Sequence, residues 1–261
     1  MKMNITDILE DLKEFSQSYI RENLIGIYIH GSYAMDSFYY EYSDIDLLIV
    51  VKKPLSYITK RQFVEELIKL SKRGPQKGIE LSIILEEDVK KMIHPLKFDF
   101  HFSNAHIERY EKDEKYMCDK GTDPDLIAHL KVTKERGVVL FGKPIHEIIG
   151  EVKELDFINS IMNDLEDIHL NTDLDCTYYL LNLLRFRYYL IEGKIYSKIE
   201  GGKKALEEFG GAERVIIENA LSCYEPLKYS KKSVDEDKLK SYFDELTVEI
   251  ENSTLFKISK K

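Results

Sequence analysis

The chain has 261 residues, 43% of them hydrophobic and 33% charged, with a formal net charge of −9. That length can bury a substantial core as one large domain or two smaller ones, and the acidic balance argues against sequence-independent binding to nucleic acid, which needs a basic face. Cys118, Cys176 and Cys223 lie far apart with no paired spacing, and no apolar run is long enough to span a bilayer, so the composition points to a reducing cytoplasm without disulfide, zinc or membrane.

The opening MKMNITDILEDLKEF is amphipathic rather than signal-like. From Ile5 to Ile20 the residues Ile5, Ile8, Leu9, Leu12, Phe15, Tyr19 and Ile20 recur at helical spacing, with Asn4 or Thr6 available as the cap. LIGIYIH (24–30) reads as a strand. A Gly31-Ser32 loop follows, then a second strand from Ile45 to Val51 whose run of Leu47, Leu48, Ile49, Val50 and Val51 is covered on both faces. Thr59 to Lys72 reads as a helix and IELSIIL (79–85) as a third strand. KFDFHFS (97–103) alternates as a fourth, with Phe98, Phe100 and Phe102 on one core face.

After Gly142, Lys143 and Pro144 the character changes. Leu155–His169, Cys176–Ile191, Glu200–Phe209, Glu213–Leu221 and Asp235–Ile250 all read as helices with no strand between them. The expected architecture is therefore α/β followed by α: an N-terminal mixed-sheet domain over 1–150 and a C-terminal helical bundle over 151–261.

Asp44 and Asp46 stand at the mouth of the second strand, where aspartate is disfavoured and costly to bury unpaired. Residues two apart on a strand share a face, so both point the same way, and Glu80 with Ser82 shares one face of the third strand. If those strands are neighbours, three carboxylates meet, and they repel one another unless a cation sits among them. Hard oxygen ligands suit Mg²⁺, which keeps positions for substrate phosphates. Gly31 and Ser32 directly follow a strand, where glycine lets the backbone approach a phosphate and serine adds a donor. An Asp-x-Asp pair alone is more often the mark of a turn; with Gly31-Ser32 before it and Glu80 after it, the preference reverses and phosphoryl chemistry becomes the better reading.

GSYAMDSFYYEYSDIDLLIVV resembles the glycine-serine and double-aspartate motif of the DNA polymerase beta-type nucleotidyltransferase superfamily. GIELSIIL, DPDLIAHLKVTKERGVVLFGKPI and LLNLLRFRYYLIEGKIYSK follow in the order of one branch, the streptomycin/spectinomycin adenylyltransferases among aminoglycoside-modifying enzymes. The resemblance implies transfer of AMP from MgATP, the co-substrate, to a hydroxyl of an aminocyclitol antibiotic, with two Mg²⁺ ions. It implies that Asp44, Asp46 and Glu80 bind metal, with Glu80 also the general base, that Ser32 and Ser43 touch the nucleotide's phosphates, and that Gly31 and Asp44 belong to the nucleotide site as well. Asp125, Lys198 and Tyr224 would hold the nucleotide as well, and Asp175 the acceptor. Read from the residues alone, Asp125 is an acid in a helix's first turn, Lys198 a solvated lysine and Ser43 a turn residue.

The sequence departs from the family where the acceptor is chosen. It has no tryptophan, whereas relatives place one on the acceptor wall, at a position that falls here near Ala105; two further positions used for streptomycin fall on Glu166 and Asn171. The expected partner is a small cationic acceptor, spectinomycin or another aminocyclitol rather than streptomycin, with no nucleic acid or membrane and a monomer favoured. Two alternatives stay open from sequence: the same chemistry on another metabolite or a protein hydroxyl, and a nucleotide-binding module without turnover. His94, His101 and His106 show no metal-ligand spacing and read as ordinary histidines, and Arg185 is either a structural partner or a phosphate contact.

Overall fold

A computed structural model describes residues 4–170, 176–225, 228–229 and 236–253. The chain forms two compact units, Met1–Lys153 and Glu154–Lys261.

In the first unit α1 (Ile5–Ile20) starts where the Asn4 side chain accepts the Thr6 N–H at 3.2 Å. β1 (Leu24–Ile29), the short α2 (Gly31–Ala34) and β2 (Ile45–Val51) follow. α3 (Tyr57–Ser71), capped by Ser56, crosses over to β3 (Ile79–Leu85). Then come α4 (Glu86–Lys91), β4 (Leu96–Phe102), α5 (Asn104–Lys112), β5 (Asp119–Asp123), α6 (Leu126–Arg136), β6 (Val138–Gly142) and α7 (Ile145–Ile148). The six strands lie in the order β5-β4-β3-β2-β1-β6. Only β2 and β3 pair in parallel, as a strand–helix–strand crossover requires; the other neighbours are antiparallel.

Alternation divides the sheet's residues between two cores. Ile45, Leu47, Ile49 and Val51 of β2 join Ile79, Leu81 and Ile83 of β3 under α1 and α3, where Ile8, Leu12, Phe63 and Leu67 are fully buried. Leu48, Val50 and Ile84 face the other way, against Leu126, Ile127 and Leu130 of α6 and Ile148 of α7. Asp46, Glu80 and Ser82 belong by alternation to this second face.

Some elements differ from the sequence reading. β5 (DKGTD) and β6 (VVLFG) are strands that local pattern did not announce: the first has almost no strand-forming residues, the second is five residues long, and both exist because a neighbouring strand offers a ladder. The three phenylalanines of β4 do not share a face. Phe100 and Phe102 enter the first core, whereas Phe98 packs against the second, its ring 5.9 Å from His101.

A buried cation ties the β5 edge to the rest. The Lys60 ammonium on α3, only 1% exposed, donates to both the Asp99 carboxylate (2.8 Å) and the Asp119 carboxylate (2.9 Å) and to the Asp99 carbonyl (2.7 Å). The second Asp99 oxygen accepts the Leu55 N–H at 2.8 Å, so the ions are satisfied as a buried pair must be.

The second unit contains α8 (Glu154–Leu170), α9 (Cys176–Glu192), α10 (Lys198–Glu208), α11 (Gly211–Ser222) and α12 (Glu236–Asn252), with no strand among its described residues. α10 opens with a reciprocal cap in which Ser197 accepts the Glu200 N–H and Glu200 accepts the Ser197 N–H. Arg187 of α9 binds Glu208 through two hydrogen bonds, 2.9 and 2.7 Å, and Glu249 through a third of 2.8 Å, linking α9, α10 and α12. A Cβ on Gly201 would lie 3.0 Å from the Arg185 backbone, so glycine is what lets α9 and α10 approach. Half-buried Arg185 sits at that crossing. Among the described residues no helix is long and apolar enough to cross a membrane.

Candidate active site

β2 and β3 run in parallel with Asp46 directly beside Glu80. With Asp44 two residues earlier on β2's approach, the three carboxylates converge. One oxygen from each lies within 4.8 Å of the others, and all three residues are half-buried. The register follows from packing, because the first core takes Ile45, Leu47, Ile79 and Leu81 and leaves the intervening acids on the opposite face. Three hard anionic oxygens, close together and partly screened from water, match what a divalent cation such as Mg²⁺ needs.

The loop after β1 is built against this cluster. Gly31 has φ +62°, and a Cβ there would stand 1.8 Å from an Asp46 carboxylate oxygen. Glycine is thus required both by backbone conformation and by the acid beneath it. The His30 N–H donates to the Asp46 carbonyl at 3.1 Å. The Ser32 carbonyl accepts the Ser37 N–H (2.9 Å) and the Ser37 hydroxyl (3.3 Å), which fixes the loop. The Ser32 hydroxyl oxygen is buried with no hydrogen-bond partner among the described residues, which leaves its donor available to a ligand. Ser43 is different: its buried hydroxyl accepts the Tyr39 N–H at 3.1 Å, and its own N–H donates to the Tyr39 carbonyl at 2.8 Å, which is the geometry of a turn residue.

Three histidines adjoin the elements that carry these acids, through contacts that sequence spacing did not indicate. His30 is buried with its ring 4.9 Å from His129 of α6; burial, and then His129, hold its pKa well below the usual imidazole value. His129 lies one turn into the helix that Asp125 opens, its N–H donating to the Asp125 carbonyl at 3.1 Å. Asp125 is half-buried and its side chain does not cap the helix; its N–H donates to the Asp123 carboxylate at 2.8 Å. Ser82, one residue beyond Leu81, shares the face of Glu80, and its hydroxyl is 2.9 Å from His101 Nδ1 on β4. Position immediately before Gly31 for His30, and the i+2 relation to Glu80 for Ser82, were the available sequence signals.

Residues 10–104 match the polymerase beta nucleotidyltransferase domain, and residues 147–249 match the C-terminal domain of aminoglycoside adenylyltransferases. The chain thus resembles, segment by segment, a polymerase beta-type nucleotidyltransferase domain followed by an aminoglycoside adenylyltransferase C-terminal domain. It is 27% identical over 240 residues to a spectinomycin 9-adenylyltransferase of Enterococcus faecalis, covering 89% of this chain and 93% of that one. An aminoglycoside (3'')(9) adenylyltransferase of Escherichia coli is 25% identical over 236 residues, covering 88% and 86%. Among solved structures, an enterococcal spectinomycin adenyltransferase with ATP and spectinomycin superposes with a TM-score of 0.75 at 25% identity, covering 99% of this chain and all of the other. In this adenylyltransferase-like chain Gly31, Ser32, Asp44, Asp46 and Glu80 come together in the first unit. Lys198, the first residue of α10, and Tyr224, in the turn after α11, are both half-buried in the second unit, and Asp175 lies outside the described residues.

Proposed function

We propose that the protein transfers AMP from MgATP to a hydroxyl of an aminocyclitol-type acceptor, with spectinomycin the first candidate. The observation that carries this reading is the convergence of Asp44, Asp46 and Glu80 against the Gly31-Ser32 loop, in a chain that aligns along its length with a spectinomycin adenyltransferase.

Asp44, Asp46 and Glu80 would hold Mg²⁺, which when bound neutralises phosphate charge. Gly31 brings its backbone up to the phosphates, and the buried Ser32 hydroxyl donates to one of their oxygens. Glu80 takes the proton from the acceptor hydroxyl as that oxygen forms its bond to the α-phosphorus and the bond to pyrophosphate breaks. The chain forms no covalent intermediate in this scheme; positioning and charge complementarity carry the rate. Asp125, Lys198 and Tyr224 are assigned to the nucleotide and Asp175 to an acceptor amine, a carboxylate–ammonium contact being charge-assisted. The resemblance to the adenylyltransferase family supports these four. For Ser43 the turn geometry favours a supporting role over direct phosphate contact.

Pyrophosphate release with MgATP across an aminoglycoside panel tests the reading. Turnover is expected with spectinomycin and little or none with streptomycin, because the chain has no tryptophan to receive a large sugar ring. Absence of pyrophosphate release with every aminocyclitol would overturn the proposal, and efficient streptomycin transfer would overturn the acceptor choice alone.

A further inference from the structure

The side of the site from which an acceptor must arrive is fixed by the sheet order, given the AMP-transfer reading on which this inference rests. An in-line displacement needs the entering oxygen opposite the leaving pyrophosphate. Gly31 and Ser32 follow β1, Asp46 lies on β2 and Glu80 on β3, so the surface beyond Glu80, away from the phosphate loop, belongs to β4 and to α5 that follows it.

Two imidazoles occupy that surface. His101 stands opposite Ser82 in the β3–β4 ladder, on the face that carries Glu80. Leu81 pairs with Phe102, so the chain leaves β4 alongside Glu80, and the first turn of α5 carries His106. The His106 ring is 5.6 Å from that of His101 at an interplanar angle of 81°, and both residues are half-buried. Each ring is braced from within: His101 Nδ1 by the Ser82 hydroxyl at 2.9 Å, His106 Nδ1 by the Tyr116 hydroxyl at 2.7 Å. Tyr116 is itself covered by the Arg109 guanidinium, 3.9 Å from its ring centre. Nε2 is then the nitrogen each ring offers a ligand.

We propose that His101 and His106 form the acceptor wall, a pair of imidazoles that receives a compact, hydroxyl-rich, amine-bearing ring and turns one hydroxyl toward Glu80. The flat faces pack on the ring's C–H surface while Nε2 of either histidine bonds a neighbouring hydroxyl or amine. Burial holds the His101 pKa down at about 4, and burial with Arg109 nearby lowers that of His106, so near neutral pH neither repels a cationic acceptor. The pair supplies selectivity without charge, leaving ion pairing to carboxylates.

Steady-state kinetics of the full chain with MgATP and spectinomycin decide it, comparing wild type with His106→Ala, His106→Phe and His101→Gln, and with MgATP affinity by calorimetry as the check on folding. His106→Ala should raise the acceptor KM about tenfold, leave the KM for MgATP within about twofold, and be partly rescued by His106→Phe, which restores the ring. An active wild type whose acceptor KM is unmoved in His106→Ala overturns the wall and leaves AMP transfer standing. If His106→Ala loses MgATP binding, His106→Phe and His101→Gln decide, and unmoved acceptor KM values in both overturn the wall. A wild type inactive with every aminocyclitol overturns the transfer reading and this inference with it.

Discussion

The two faces of the central sheet are made by the same strands and meet opposite requirements. On one face Ile45, Leu47, Ile49 and Val51 lie beside Ile79, Leu81 and Ile83 under α1 and α3, all of them buried. On the other, Leu48, Val50 and Ile84 begin a second core, but at the starts of β2 and β3 Asp46, Glu80 and Ser82 take its place. Because the side-chain period of a strand is two, a slip of one residue would exchange these faces. The apolar face therefore sets the register, and the register delivers the acids. Stability and activity should then separate cleanly between adjacent residues.

The sharpest test of that separation pairs Asp46 with Leu47. Asp46→Asn should lower pyrophosphate release by at least about 10³-fold, the scale of several kcal/mol of lost charge stabilisation. Its melting temperature without magnesium should hold or rise, since one of three like charges is gone. Leu47→Ala should do the reverse, costing about 2–5 kcal/mol in a urea melt while turnover per folded molecule stays near wild type. Full turnover by Asp46→Asn would break the assignment of that face.

A smaller effect distinguishes roles within the acidic face. Glu80→Gln should slow turnover by about 10²-fold or more, as loss of a general base does, while calorimetry still detects MgATP bound through Asp44 and Asp46. Normal turnover would remove Glu80 from the chemistry.

The smallest effect concerns pH. His101 is held at about 4 against an ordinary value of 6.5, chiefly by burial, with Asp123 opposing the shift. The unfolded chain thus takes up a proton near pH 6.5 that the folded chain refuses until about pH 4. This contribution is whole above pH 6.5 and is lost as pH falls toward 4, so His101→Gln should flatten the decline in melting temperature across that window. An unchanged slope would show that other groups govern it.

The acids were legible in sequence because each interrupts an apolar run: Asp44 and Asp46 before LLIVV, Glu80 within IELSIIL. Polar residues in a two-sided strand require a reason, and alternation then tells which face they share. Gly31 was legible as a loop glycine, although its contact with Asp46 was not, because that approach spans two strands. Other features depend on partners distant in the chain. Lys60 reads as an ordinary helical lysine until Asp99 and Asp119, 39 and 59 residues away, are brought to it. His101 and His106 read as unremarkable until β4 is placed beside β3 and α5 turns back at Ser103. Arg187 was hidden likewise, since its partners Glu208 and Glu249 lie on two other helices.

The Lys60 ion triad bears on how the sheet comes apart. β5 has little intrinsic tendency to be a strand and is paired on one side only, so its attachment rests on the β4 ladder and on the Lys60–Asp119 bond. Such a margin opens locally, at a free energy below that of global unfolding, and its amides exchange with solvent ahead of those in β2 and β3. Lys60, anchored in α3 and bonded to both β4 and β5, sets the height of that local barrier: a single buried ammonium decides whether the sheet breathes with five strands closed or six.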